Sequence, residues 1–424
     1  MSNRPLYHFT PKKGWINDPN GCVFADGVYH LFFQYYPDEP IWGPMYWGHA
    51  QSRDLLSWDE KEIALCPDRL GYIFSGSAVI DKDNLSGFGG EKPRMIAMYT
   101  SHNPKTGEQQ QSIAYSTDYI HFTKYENNPV IPNVLGTDGY RPDCRDPKMF
   151  ADKVRGGYSA VLSGGDRILF YHTDDFIHWE KSGEFAPEKK IIDGIYECPD
   201  LIRFDTPDGE KYVLIDSVVT ENSKNLPFGV IKGHPMQYFV GSWDGYSFTA
   251  EEGENEVLIP DWGTDNYAMV SFAGVDKPLF IGWAENWGYV KTTPCRDYRG
   301  KMTTPRYADL VKTENGYRLK FTPAAEFCKK SYDLKVGETV TVENGGQPAF
   351  TLTVGEKYIH LDRKISPIAQ KTDLLAQDEA YTKMHAKREK CGDCHIDMYF
   401  DRGVVEIFAD DGFEVMTVST DVFE

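Results

Sequence analysis

Ser52-Arg-Asp54-Leu-Leu-Ser-Trp58 is one of four copies of a short pattern: Ser or Thr, any residue, Asp, three residues, then Trp or Phe. The others are Ser116-Thr-Asp118 to Phe122, Thr173-Asp-Asp175 to Trp179, and Ser242-Trp-Asp244 to Phe248. The aromatics recur roughly every 60 residues, too far apart for helical hairpin repeats and far enough for a four-stranded sheet with generous loops. That is the size of a propeller blade. In each copy the Asp and the hydroxyl can close a turn by bonding backbone groups, and the ring can pack between adjacent sheets. These are structural duties to which no chemistry is assigned.

Strand signals agree with the repeat. Gly27-Val-Tyr-His-Leu-Phe-Phe33, Arg94-Met-Ile-Ala-Met-Tyr-Thr100, Lys211-Tyr-Val-Leu-Ile215 and Pro278-Leu-Phe-Ile-Gly-Trp283 are short, apolar or alternating, and bounded by Gly, Pro or Asp. Four units plus a last segment around Trp283 to Tyr307 predict a five-bladed β-propeller over residues 1–310. The texture changes after Leu310, where Glu314-Asn-Gly316 reads as a turn. Runs such as Glu338-Thr-Val-Thr-Val342 and Ala349-Phe-Thr-Leu-Thr-Val354 then alternate with period two, so residues 311–424 are expected to form a small β-sandwich. The fold class is therefore all-β. A basic run of Lys383, Lys387, Arg388 and Lys390, with His385 among them, reads as a solvated loop or short helix.

Composition narrows the function classes. The 424 residues include 9 Trp, 26 Tyr and 24 Phe, an aromatic share of 14% that suits short strands better than a helical bundle. A balance of 45 basic against 64 acidic residues gives a net charge of −19. Such a chain repels phosphate backbones and anionic lipid, so neither nucleic acid nor membrane is an expected partner, and the charge sets no oligomeric state. The first residues carry no basic stretch leading into an apolar one, and a cytoplasmic location is expected. The eight cysteines read as free thiols. Cys391-Gly-Asp-Cys394 reads as a hairpin turn, and no metal or cofactor is expected.

A propeller gathers the first strand of every blade around one axis, so a site at its mouth draws residues from loops far apart in sequence. Trp15-Ile-Asn17-Asp18-Pro19-Asn20-Gly21, Arg145-Asp146-Pro147 and Tyr196-Glu197-Cys198-Pro199 each set a carboxylate in a turn-forming, proline-containing stretch near the start of a different blade. Any one of them alone is ordinary turn chemistry. Together, and with Gln34, Trp42, Trp47 and Phe74 nearby in sequence, they suit a sugar, whose C–H faces stack on rings while its hydroxyls bond carboxylates and amides. Glycoside cleavage needs one protonated and one ionised carboxyl group. A third acid directly after an arginine, Asp146, is expected to stay ionised and grip hydroxyls.

These motifs resemble glycoside hydrolase family 32, the β-fructofuranosidases. The likeness continues through Phe33-Gln34-Tyr35-Tyr36-Pro37, Trp47-Gly-His-Ala50, Phe74-Ser-Gly-Ser77, Gln237-Tyr-Phe-Val-Gly241, Asp261-Trp-Gly-Thr-Asp265 and Asn286-Trp287. Asp401-Arg402 with Glu406-Ile-Phe408 looks like the closing strand pair of that family's sandwich. The resemblance implies a retaining hydrolase that releases terminal β-fructosyl units from sucrose, sucrose 6-phosphate or short fructans. It implies Asp18 as nucleophile, Glu197 as general acid and base, and Asp146 as a binder of fructose hydroxyls. It also implies that Asn17, Gln34, Trp42, Ser75 and Arg145 bind the fructosyl unit, with Phe74 beside them.

Several residue-level expectations follow. Asn17 and backbone N–H groups should keep Asp18 ionised, while Asp18 and the cover of Tyr196 and Cys198 should keep Glu197 protonated. Cys198 lacks a nearby His to activate it and reads as a packing residue, and His49 reads as hydrogen-bonded structure between blades. Tyr196, Asn266, Tyr298 and Cys144 depart from the family pattern and are expected to shift leaving-group preference without abolishing hydrolysis. A 6-phosphate would need basic residues, for which Arg296, Arg299 and Lys301 are candidates. Two other functions compete: fructosyl transfer through the same covalent intermediate, and a non-catalytic carbohydrate-binding propeller, which should have lost a carboxylate.

Overall fold

The computed structural model describes residues 4–89, 92–220, 226–231, 233–251, 257–293, 295, 297–372, 375 and 378–420. Five sheets follow one another along the chain as blades. The first contains Gly14–Ala25, Val28–Tyr36, Tyr46–Ser52 and Asp59–Glu60, and the second Tyr72–Asp81, Arg94–His102, Gln109–Ser116 and Phe122–Lys124. The third contains Cys144–Ala151, Tyr158–Gly164, Ile168–Thr173 and Glu180–Phe185, and the fourth Ile195–Thr206, Gly209–Val219, Met236–Trp243 and Phe248–Ala250. Tyr267–Ser271, Leu279–Trp283, Arg306–Thr313 and Gly316–Pro323 make the fifth. The first strand of each blade touches the first strand of the next, and the fifth returns to the first, so these five strands ring a common axis. A short strand, Tyr298–Arg299, latches the ring by pairing in parallel with Gly14 and Trp15.

Strands sandwiched between neighbouring blades are buried on both faces and carry near-continuous apolar runs. Arg94–His102, for example, is buried from Met95 to Ser101. The repeat lies at the hairpin between the third and fourth strands of the first four blades. Asp54 Oδ1 accepts the N–H groups of Leu56 and Ser57 at 3.0 and 2.7 Å, and Asp118, Asp175 and Asp244 do the same for the residues two and three positions on. The residue after each Asp is left-handed: Leu55, Tyr119 and Phe176 at φ near 64°, and Gly245 at 91°. Phe122 packs edge-on against Phe32 of the preceding blade with ring centroids 5.4 Å apart, and Phe248 meets Phe185 in the same way at 5.2 Å. The fifth blade makes this turn with Thr313 to Gly316 and no Asp, which is why the repeat stops at four.

The boundary expected at 310 falls inside the strand Arg306–Thr313. Glu314-Asn-Gly316 joins the last two strands of the fifth blade, and the sandwich begins at Lys329. Outer blade strands are half exposed and alternate just as sandwich strands do, so the change in texture came one hairpin before the change in fold.

The sandwich consists of two four-stranded sheets. Lys329–Leu334, Cys394–Asp401, Val404–Ala409 and Glu414–Ser419 form one, and Thr339–Asn344, Gln347–Val354, Tyr358–Asp362 and Lys383–Lys387 the other. The basic run is thus the edge strand Lys383–Lys387 rather than a loop or short helix, with lysines at both of its ends where an edge benefits from charge. Arg388, just beyond it, is buried against Asp410 at 2.8 and 3.0 Å. All eight cysteines are free.

Candidate active site

Each of the five ring strands loses register with its neighbour near its start. The shifts fall between Ile16 and Pro19, between Ile73 and Gly76, around Asp146 and Pro147, between Glu197 and Asp200, and between Tyr267 and Val270. A bulge re-aims the side chains it carries, and a proline is tolerated there because no ladder N–H is needed. The Asp-Pro and Glu-Cys-Pro stretches are therefore strand bulges rather than turns ahead of strands. Asp146 and Cys198 adopt left-handed φ values of 61° and 47°. Gly76 follows Ser75 at the second bulge, where a Cβ would fall 2.0 Å from the Met98 carbonyl oxygen.

The bulges bring Asp18, Asp146 and Glu197 together from three blades. Asp18 Oδ1 accepts the Asn17 amide at 3.0 Å and its Oδ2 accepts the Ser75 hydroxyl at 2.7 Å. Asn17 is itself oriented by the Trp15 indole N–H, 2.8 Å from its Oδ1. Burial and the charge of Glu197 raise the Asp18 pKa, while Asn17 and Ser75 pull it back. Ser75, more than backbone N–H groups, is the second donor.

Glu197 is held at both oxygens. Arg145 donates to Oε1 from Nε at 3.2 Å and from Nη2 at 2.8 Å, and the Tyr267 hydroxyl donates to Oε2. Arg145 also reaches Asp143 at 2.6 Å and Gln109 at 3.3 Å. It lies 3.8 Å from Asp146, its chain neighbour. Burial therefore dominates at Asp146 and raises its pKa, with Glu197 and Asp18 adding to that effect against the pull of Arg145 and the Cys198 N–H. The expectation that Arg145 keeps Asp146 in the ordinary ionised range is corrected: the bulge turns the guanidinium toward the fourth blade.

The remaining expected residues sit around this core. Gln34 is buried and donates to Asn20 Oδ1 at 2.8 Å and to the Ile73 carbonyl at 3.0 Å. Phe74 stacks on His102 at 4.3 Å, and Trp42, 41% exposed, stands edge-on to Phe74 at 6.3 Å. Cys198 faces inward, its N–H on Asp146 Oδ2 at 3.0 Å and its sulfur 3.6 Å from both Asp146 and Asp18. Burial and three carboxylates hold its thiol well above the ordinary range, so it stays protonated. Tyr196 gives Glu197 no cover. Its ring is buried in the apolar cluster with Ile192, Leu214 and Val218, because consecutive strand residues face opposite ways.

The other departures also have structural partners. Asn266 bonds Asp261 at 2.9 Å, Tyr298 lies under Arg4 at 3.9 Å, and Cys144 is buried with its carbonyl on the Gln111 amide. Arg299 bonds the carbonyls of Lys291 and Thr293, and Lys301 is buried against Glu285. Arg296 lies outside the described residues. His49 is buried, 3.1 Å from His30 and stacked on Phe32 at 4.3 Å. Among the described residues no three His, Cys, Asp or Glu side chains are grouped to hold a metal ion.

Tyr267, Asp143, Gln109 and His102 are site residues that sequence reasoning missed. Tyr267 stands in a stretch already compared with the family, and its place at the start of the fifth ring strand was the available signal.

A five-bladed propeller with three carboxylates gathered at its ring strands, joined to a β-sandwich, defines a class of carbohydrate-active protein. The chain belongs to glycosyl hydrolases family 32, whose N-terminal domain matches residues 8–323. It is 36% identical to the levanase of Bacillus subtilis (strain 168) over 459 residues, covering 98% of this chain and 66% of that protein. It is 36% identical to an extracellular exo-inulinase of Aspergillus awamori, covering 72% of this chain and 62% of that one, and 37% identical to invertase 2 of Saccharomyces cerevisiae, covering 73% and 58%. The chain thus spans 66% or less of the length of these relatives. Among solved structures, the A. awamori exo-inulinase superposes with a TM-score of 0.85 at 30% identity, covering 100% of this chain and 93% of that one. A fructofuranosidase from Schwanniomyces occidentalis complexed with fructose gives 0.83 at 28%, covering 99% and 92%.

Proposed function

We propose that the chain is a retaining β-fructofuranosidase that removes terminal fructosyl units from sucrose and short, unphosphorylated fructans. The observation that carries this is the convergence of three carboxylates from three blades on one site: the Cys198 sulfur lies 3.6 Å from both Asp18 and Asp146, and Arg145 reaches both Asp146 and Glu197. Asp18 is oriented by the Asn17 amide and the Ser75 hydroxyl, and Glu197 is oriented at both oxygens by Arg145 and Tyr267. Asp18 attacks the anomeric carbon of fructose while Glu197 gives a proton to the departing glycosidic oxygen. Glu197 then takes a proton from water, which cleaves the fructosyl–Asp18 ester with net retention. Asp146 grips fructose hydroxyls that bond more strongly as the oxocarbenium ion develops. The levanase, exo-inulinase and invertase names of the relatives support this reading.

Preference for unphosphorylated sugar is supported by the occupation of Arg299 and Lys301 with other partners. A cytoplasmic location remains part of the proposal and is supported by eight free cysteines, which cell fractionation tests directly. The enzyme itself is tested by kcat/KM on sucrose, sucrose 6-phosphate, kestose, levan and inulin, with glucose and fructose both quantified. The proposal predicts turnover of the unphosphorylated sugars with equal glucose and fructose from sucrose. Fructose below glucose would mean transfer, and a large preference for the phosphate would contradict the neutral site.

A further inference from the structure

The segment that leads into the catalytic machinery is held by the sandwich through two buried acidic residues. Asp265 Oδ2 accepts the Ser419 N–H at 2.9 Å and Arg363 Nη1 at 2.6 Å, and Asp261 makes the denser set of contacts. Asp261 is fully buried, and its two oxygens accept five hydrogen bonds. Oδ1 takes the N–H groups of Gly263 and Thr417, both at 2.9 Å. Oδ2 takes Arg306 Nη1 at 2.9 Å, the Thr417 hydroxyl at 2.7 Å and the Asn266 amide at 2.9 Å. Arg306 in turn reaches Glu406 of the sandwich at 3.1 Å. Residues 261–265 lie along the sandwich strand Glu414–Ser419 as a further strand would: the Trp262 N–H donates to the Val415 carbonyl at 2.7 Å and the Asp265 N–H to the Thr417 carbonyl at 3.2 Å. The approach is so close that a Cβ on Gly263 would fall 2.2 Å from the Thr417 carbonyl oxygen.

This docked segment runs directly into the site. Asn266, bonded to Asp261, is followed by Tyr267, the first residue of the fifth ring strand, whose hydroxyl bonds Glu197. Asn266 also lies against Gly282, where a Cβ would fall 2.0 Å from its Oδ1, so the backbone beside it leaves no slack. Apolar surface alone could hold two domains together. Five bonds converging on one buried carboxylate instead specify a single position for the chain, at the cost of desolvating the charge.

We infer that Asp261 is a positioning residue through which the β-sandwich orients Tyr267 and, through it, the proton-transferring carboxyl of Glu197. The inference rests on the acid–base role of Glu197 proposed above. A misplacement of about 1 Å in such a group can lower a rate about 100-fold without weakening substrate binding.

The test compares Asp261→Asn and the milder Thr417→Val, which removes one hydroxyl donor, on sucrose and on β-fructosyl fluoride with added azide. Fluoride departs without a proton and azide attacks without a base, so the second reaction bypasses Glu197. The expected result is a fall in kcat on sucrose of about 10-fold or more for Asp261→Asn, with KM little changed, and a near-parental rate on the fluoride with azide. Thr417→Val shows the same pattern at smaller amplitude, and serves alone if Asp261→Asn does not fold. In a Tyr267→Phe background neither change has a further effect on sucrose. Equal losses on both substrates, or parental kinetics with only a lowered Tm, would overturn the inference. Glu197→Gln separates the two readings: if azide and fluoride fail to restore that variant, the acid–base assignment itself is wrong.

Discussion

Arg145 and Glu197 are joined across the gap between the third and fourth blades by two hydrogen bonds to one oxygen, at 3.2 and 2.8 Å. Tyr267 takes the other oxygen of Glu197, so both carboxylate oxygens are held and the orientation of the group is fixed. Arg145 offers a planar fork of donors and also spans Asp143 and Gln109, which a lysine ammonium cannot reproduce. Arg145→Lys should lower kcat on sucrose about 100-fold while the protein keeps its circular dichroism spectrum and Tm within a few degrees.

Asp146 should cost the fold stability at neutral pH. Its carboxyl pKa is raised mainly by burial, so the folded state holds that proton more tightly than the unfolded chain does. Stability is therefore greatest below the unfolded value near 4 and falls as pH rises through the raised folded value, after which the penalty is constant. Asp146→Asn removes the penalty and keeps an oxygen to accept the Cys198 N–H. The variant should be more stable than the parent at pH 7 by roughly 1–3 kcal/mol, nearly equal to it at pH 4, and almost inactive. Thermal melts at the two pH values decide this.

Cys198 should resist alkylation. It is buried, its thiol pKa is raised, and it bridges two carboxylates at 3.6 Å each. Iodoacetamide at pH 7.5 should label the exposed Cys66, Cys328 and Cys391 and leave Cys198 unmodified in peptide mass spectra. Cys198→Ala should retain activity within about 10-fold of the parent, as suits a residue that lines the site without reacting.

The seam between propeller and sandwich should weaken in alkali. His8 Nδ1 lies 3.0 Å from Asp401 and Nε2 lies 3.6 Å from Glu406. Burial works against the charged imidazole, but these two carboxylates outweigh it and raise its pKa. The stabilisation is complete below the unfolded value near 6.5 and is lost as pH rises through the raised folded value. At Glu406 burial is outweighed by Arg306 and His8, which hold it down at about 2, so its contribution is lost only in strong acid. His8→Gln should lower stability by about 3 kcal/mol at pH 6 and by much less at pH 9, as chemical denaturation at each pH will report.

Much of this was legible in local sequence. The four Asp-centred hairpins depend on bonds spanning two or three residues, so their spacing gave away the blades before any tertiary contact was known. The fifth hairpin uses Thr313 and has no such signature, and the boundary was misplaced for that reason. In the site, Asp18, Asp146 and Glu197 stood out by residue type and neighbouring proline. Their orientations did not, because a bulge changes which way a strand residue faces: Arg145 turned from Asp146 to Glu197, and Tyr196 turned away while Cys198 faced in. Tyr267 was missed because its partner lies 70 positions away, and only the packing of the fifth ring strand against the fourth joins them.

The central claim is that Asp18 forms a bond to fructose. The most direct measurement uses Glu197→Gln supplied with β-fructosyl fluoride, where the first step needs no acid and the second lacks its base, so the intermediate accumulates. After acid quench and proteolysis, mass spectrometry should find one anhydrohexose unit on the peptide containing Asp18, absent in Asp18→Asn. A label on Asp146 or Cys198, or turnover by Asp18→Asn at the parental rate, would contradict the account.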